Sequence, residues 1–183
     1  MIVTTRRRIL GGTSLLALAA VGLMAGCSSS AATTPAQIVA DAAGLVSALQ
    51  SDLPLIVAAD PNLMDAQTEA AVQMDLAKAQ ALAAQVTPQM TATQGATTLK
   101  TVEAYINVAL EAASAVATAG AGSPLAAYAL PIQAAIVLAG VIEAWINATL
   151  GAGTTTASAR AKAVAPGMTP EKARVILGVK TVA

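Results

Sequence analysis

The stretch Val102-Glu103-Ala104-Tyr105-Ile106-Asn107-Val108-Ala109-Leu110-Glu111-Ala112-Ala113-Ser114-Ala115-Val116 decides the fold class. Val102, Ile106, Ala109, Ala113 and Val116 recur at steps of three and four, the period that lines one face of an α-helix. Glu103 and Glu111 fall on the opposite side, where water solvates them. The spacing predicts a helix from Leu99 to Ala119, with Gly120 as its C-cap and Gly122 in the following turn.

Composition extends this reading to the whole chain. Of 183 residues, 56% are hydrophobic but only 2% aromatic, so the core must be built from small side chains. Ala, Leu, Gln, Met and Glu are strong helix formers, and Gly and Pro gather between segments. These features define an all-α protein, an Ala-rich antiparallel bundle of about four helices with a short C-terminal helix.

Proline after a capping residue marks where helices begin. Thr34-Pro35, Asp60-Pro61, Ser123-Pro124 and Thr169-Pro170 each place a side-chain acceptor before a residue that has no N–H to leave unpaired. Helix one is expected from Pro35 to Ser51, with Ile38, Ala42, Leu45 and Leu49 inward; Pro54 ends it or kinks a continuation. Helix two is expected from Pro61 to Val86, with Leu63, Ala70, Met74, Ala77 and Ala81 inward. Asp65 and Glu69 fall in its early turns, where the helix dipole favours negative charge. Thr87 to Thr98 reads as a loop. Helix four runs from Pro124 to Leu150 with a bend near Pro131, and a last short helix from Pro170 to Leu177 is closed by Gly178. The bundle thus occupies residues 35–150, and residues 151–183 form a flexible linker and a short basic C-terminal helix. The expected core includes Leu45, Leu49, Met74, Val102, Ile106, Ile132, Ile136 and Leu138.

Helix four admits two readings. Between Leu125 and Ile142 there is no charge, and Ala135-Ala139 and Gly140-Ala144 place small residues four apart, as in helices that pack within membranes. Yet Pro131 and Gln133 interrupt the span, and no Lys or Arg flanks its start, which suits a helix covered by its neighbours in a bundle.

The N-terminus is tripartite. Arg6-Arg7-Arg8 precede an apolar stretch from Ile9 to Ala25, which ends in small residues before Cys27, the only cysteine. The run Leu23-Met24-Ala25-Gly26-Cys27 resembles the lipobox of bacterial lipoproteins, with Met24 at the position where that family favours Leu. The resemblance implies that residues 1–26 are a signal peptide and that Cys27 receives a diacylglyceryl group and becomes the new N-terminus. Residues 27–34 then form the lipidated N-terminus and tether. It further implies a cell-envelope location, and Ser28 in place of the Asp of inner-membrane retention implies the periplasmic side of the outer membrane in a Gram-negative cell. Thr5-Arg6-Arg7-Arg8-Ile9-Leu10 resembles the twin-arginine export motif, which would assign Arg6 and Arg7 to the export signal. A basic segment serving the general secretion route accounts for the same residues.

Function classes narrow by exclusion. Without histidine, and with the one cysteine assigned to lipid, zinc, haem and dithiol sites lack ligands, and Ser-His-Asp and Cys-His catalysis are ruled out. The glycines of Gly120-Ala121-Gly122 and Gly151-Ala152-Gly153 do not form a phosphate loop. The chain lacks the basic surface and stacking aromatics of nucleic-acid binders. The expectation is therefore no catalytic residue, no cofactor and no metal. The partners expected are the lipid bilayer through acylated Cys27, and a second copy or an envelope protein through helix faces. Glu103, Glu111 and Glu143 are carboxylates expected on solvated helix surfaces. Three classes remain: a structural or binding lipoprotein, a membrane-perturbing or channel-forming protein with the layout of phage lysis proteins, and an enzyme or carrier for an apolar ligand in a cavity among small side chains.

Charge divides the chain. Residues 41–143 hold nine acidic side chains against Lys78 and Lys100, a net −7, whereas residues 151–183 are net +4. A basic tail beside an acidic body folds back on it, touches anionic lipid or polymer, or stays solvated.

Overall fold

A computed structural model describes residues 34–151 and 166–182, and these residues contain helices and no β-strand. Five α-helices follow in order: α1 (Pro35–Ala59), α2 (Ala66–Ala83), α3 (Ala92–Ala112), α4 (Ala126–Leu150) and α5 (Pro170–Ile176), with a 3₁₀ turn at Ser114–Thr118 between α3 and α4. The described residues adopt the all-α class expected from composition. The expected signal peptide, with Arg6, Arg7 and Cys27, lies outside the described residues, as does most of the expected linker.

Thr34 opens α1 as expected: its side chain accepts the N–H of Gln37, with Pro35 at the first helical position. The helix continues through Pro54 to Ala59, beyond the expected end at Ser51. Proline has no N–H, so the carbonyl of Gln50, four residues earlier, loses its helical donor. Gln73 of α2 donates its Nε2–H to that carbonyl at 3.4 Å. A partner from the neighbouring helix thus replaces the bond that proline removes.

Asp60-Pro61 forms a turn and does not start a helix. The Asp60 side chain accepts the backbone N–H of Asn62, a local bond that competes with helix formation. Asp65 is the actual cap of α2, accepting the Thr68 N–H at 2.7 Å and its hydroxyl at 3.0 Å. The buried face of α2 is Val72, Leu76, Ala79 and Ala83, while Ala70, Met74, Ala77 and Ala81 are exposed. The expected face was therefore on the wrong side, and Met74, at 58% exposure, leaves the core list. Alanine on every side of this helix blurs its periodicity, and the branched Val72 and Leu76 fix which side turns inward.

The expected loop Thr87–Thr98 contains the start of α3. Thr91 and Gln94 form a capping box, the Thr91 hydroxyl accepting the Gln94 N–H at 3.2 Å while the Thr91 N–H donates to Gln94 Oε1 at 3.0 Å. The helix therefore begins at Ala92 and gives way after Ala112 to the 3₁₀ turn, with Ala113, not Gly120, at its C-cap. Val102, Ile106, Ala109, Ala113 and Val116 are all buried, as their spacing requires. Before α4, Pro124 sits in a turn where the Ser123 hydroxyl accepts the Leu125 N–H, so the helix starts at Ala126. Pro131 lies inside α4, and Gln133 donates to the Ala117 carbonyl at 2.7 Å, fastening the helix to the 3₁₀ turn.

The core runs through all these elements. α1 packs on α2, α3 and α4; α3 packs on α2 and α4; α5 lies on α4. Leu45, Leu49, Val102, Ile106, Ile132, Ile136 and Leu138 are buried, and each such side chain contributes about 1.5–3 kcal/mol on removal from water.

Candidate functional site

Two places in the helical domain gather chemistry. The first is the junction of α1 with the C-terminal segment. Asp41 is fully buried, and Arg174 of α5 meets it with two hydrogen bonds, Nε to Oδ1 at 2.8 Å and Nη2 to Oδ2 at 2.7 Å. Gln37, one helical turn before Asp41, donates its amide to Asp41 Oδ1 at 2.8 Å and to the Lys180 carbonyl at 3.3 Å. Its Oε1 accepts the Val182 N–H at 2.6 Å. The fork of the guanidinium matches the carboxylate, and the low dielectric strengthens the pair. The Asp41 carboxylate holds the Arg174 pKa above its usual value.

At this junction one cation of the basic tail, Arg174, folds back on the acidic body. Packing adds to the charge pairing. A Cβ built on Gly44 would overlap the Val179 side chain, so only glycine in α1 allows the tail this close. Gly178, at φ 66°, turns the chain out of α5 toward that contact in a conformation that glycine adopts without strain.

The second place is a cavity of about 470 Å³ at the N-terminal end of α1. Its wall combines Pro35 and Val39 of α1, Val86 and Met90 of the α2–α3 connection, Gly95 of α3 and Trp145 of α4. No charged side chain lines it. Of the hydroxyls at its edge, Thr34 and Thr91 are already engaged in capping α1 and α3. The cavity therefore offers apolar surface with few fixed polar partners, which suits an apolar molecule.

The carboxylates singled out in the sequence do not converge on either place. Glu103 accepts a hydrogen bond from Asn107 at 3.2 Å, and Glu111 is exposed on α3. Glu143 corrects the expectation of a solvated surface: it is only 6% exposed and interacts with other groups. Among the described residues, no group of three or more His, Cys, Asp or Glu side chains is placed to hold a metal ion.

Sequence reasoning missed both places. Asp41 and Arg174 stand 133 positions apart, and only their opposite charges hinted at a meeting. The cavity arises where three separate segments fail to fill a volume, which no local pattern encodes. Comparison with protein-family models, with curated proteins and with solved structures gives no match for this chain.

Proposed function

We propose that this chain is a lipid-anchored protein of the bacterial cell envelope whose helical domain has a structural or binding role and no catalytic one. The observation that carries the reading is the order of parts: an export signal ending in Ala25-Gly26-Cys27, a short Ser- and Ala-rich tether, and a folded domain opening with the Thr34 cap. Lipidation at Cys27 would also remove an unpaired thiol from an oxidising compartment. Within this reading α1 to α4 form an antiparallel four-helix bundle, supported by the cycle of neighbours α1–α2, α2–α3, α3–α4 and α4–α1. The domain faces the periplasm from the outer membrane in a Gram-negative cell. One acyl chain binds reversibly, so stable attachment takes more than one.

Mass spectrometry of the envelope fraction tests the proposal. The expected N-terminus is Cys27 carrying acyl mass, and Cys27→Ala should block processing. An intact Met1 in the mature pool, or a free thiol at residue 27, overturns it.

A second reading, a membrane-perturbing or channel-forming protein, has one observation in its favour. α4, like α1, is long and apolar enough to cross a bilayer. Half of the most apolar window of α4 is buried within the protein, which favours the bundle. Dye leakage from vesicles, abolished by Gly140→Leu, would support the second reading. A Cβ at Gly140 would meet nothing within 4 Å, so the position has room for a side chain within the domain.

A further inference from the structure

We propose that the cavity beside Trp145 binds a single acyl chain of a lipid from the membrane to which the protein is tethered. The location rests on the lipid-anchor reading; the chemistry of the site rests on its wall. A volume of about 470 Å³ falls within the roughly 300–1,000 Å³ of sites that enclose a small molecule. Pro35, Val39, Val86 and Met90 present apolar surface, and the ring of Trp145 forms part of the wall. With no charge at the site, two of its hydroxyls already capping helices and only the Thr87 hydroxyl besides, a polar ligand would regain little of the hydration it loses. An alkyl chain loses nothing of that kind and gains from every methylene it buries.

Chain length places this end of the domain near the source of such chains. Thr34 lines the cavity and stands seven residues after Cys27. At a maximum of about 3.5 Å per residue, the mouth lies within roughly 25 Å of the anchored sulfur. Trp145 is only partly buried, and Met90 is 36% exposed in the connection between α2 and α3, so the site opens outward. Gly95 keeps space on the α3 side: a Cβ there would meet only Val86, at an ordinary 3.5 Å, and a longer side chain would extend into the volume.

Trp145 is the only tryptophan, so its fluorescence reads the site directly. The mature protein, purified from the envelope, is reconstituted in phosphatidylcholine vesicles whose acyl chains carry bromine at mid-chain. In a second arm, a mid-chain brominated fatty acid is added to the full-length protein in detergent-free buffer, below its micelle concentration. Quenching of Trp145 is expected in both arms. Met90→Glu, which charges the mouth at an exposed position, should weaken fatty-acid binding about ten-fold, the equivalent of losing two buried methylenes. Gly95→Leu, which fills the volume, should abolish it.

Failures of the two readings separate. Protein that does not float with the vesicles yet is quenched by the fatty acid overturns the anchor and keeps the cavity. Protein that floats but shows no quenching in either arm overturns the cavity. Fatty-acid quenching that neither variant reduces means that the chain meets Trp145 outside the cavity, and overturns it as well.

Discussion

Arg174 closes a bidentate ion pair on Asp41 across 133 positions of sequence, in a place where the carboxylate is wholly shielded from water. Removing one partner strands the other charge. Arg174→Met should therefore destabilise the domain by about 3–5 kcal/mol, while Asp41→Leu combined with Arg174→Met should recover most of that loss. Urea unfolding of the wild type, the single variant and the double variant measures the difference. A double variant no more stable than the single one would show that the pair acts through more than charge.

Two glycines should respond in opposite directions to the same substitution. Gly44→Ala sets a methyl against Val179 and should loosen the C-terminal segment, seen as faster amide exchange over residues 170–182. Gly140→Ala, in the middle of α4 with open space at its Cβ, should stabilise by about 0.5–1 kcal/mol, because a helical glycine costs backbone entropy. Destabilisation by Gly140→Ala would mean that α4 is contacted there by another molecule.

Thr91→Ala removes the hydroxyl half of the capping box and should cost about 1 kcal/mol in thermal or chemical unfolding. The first turn of α3 should fray in hydrogen exchange while α4 remains protected. Thr91→Ser keeps the acceptor and should behave like the wild type.

Two aspartates should shape the acid limb of stability with opposite sign. Hydrogen bonds from the Thr68 backbone and hydroxyl hold the Asp65 pKa below the ordinary aspartate value of about 3.9. Its stabilising contribution is complete above that value and is lost as pH falls through the lowered one. Burial pushes the Asp52 pKa up, so its penalty is absent in acid and grows as pH rises from the ordinary value through the raised one. At neutral pH, Asp52→Asn should stabilise by no more than about 0.5 kcal/mol, since the group is partly solvated. Asp65→Asn should flatten the acid limb, and urea midpoints measured between neutral and strongly acidic pH compare the two.

The parts of the fold legible in the sequence were those where large side chains kept a strict period. Ile38, Leu45 and Leu49 in α1 and Val102 and Ile106 in α3 are buried as their spacing requires. Legibility failed where alanine dominates: seven of the 18 residues of α2 are alanine, which made Met74 look like a core position. The start of α3 was readable, because Thr91-Ala92-Thr93-Gln94 has the spacing of a capping box, but the polar composition around it obscured that signal. The cavity and the Asp41–Arg174 pair depend on how distant segments pack, and neither a helical period nor a cap reports on that.

Gln37 joins the two ends of the folded domain. Its backbone N–H donates to the Thr34 hydroxyl at the start of α1, and its side chain bonds to Lys180 and Val182 beyond α5. A pull applied between Thr34 and Val182 would thus load the early turns of α1 first. Peeling the tail away would break those hydrogen bonds and the ion pair, and would also lift Ala173 and Val179 out of their packing against the other helices.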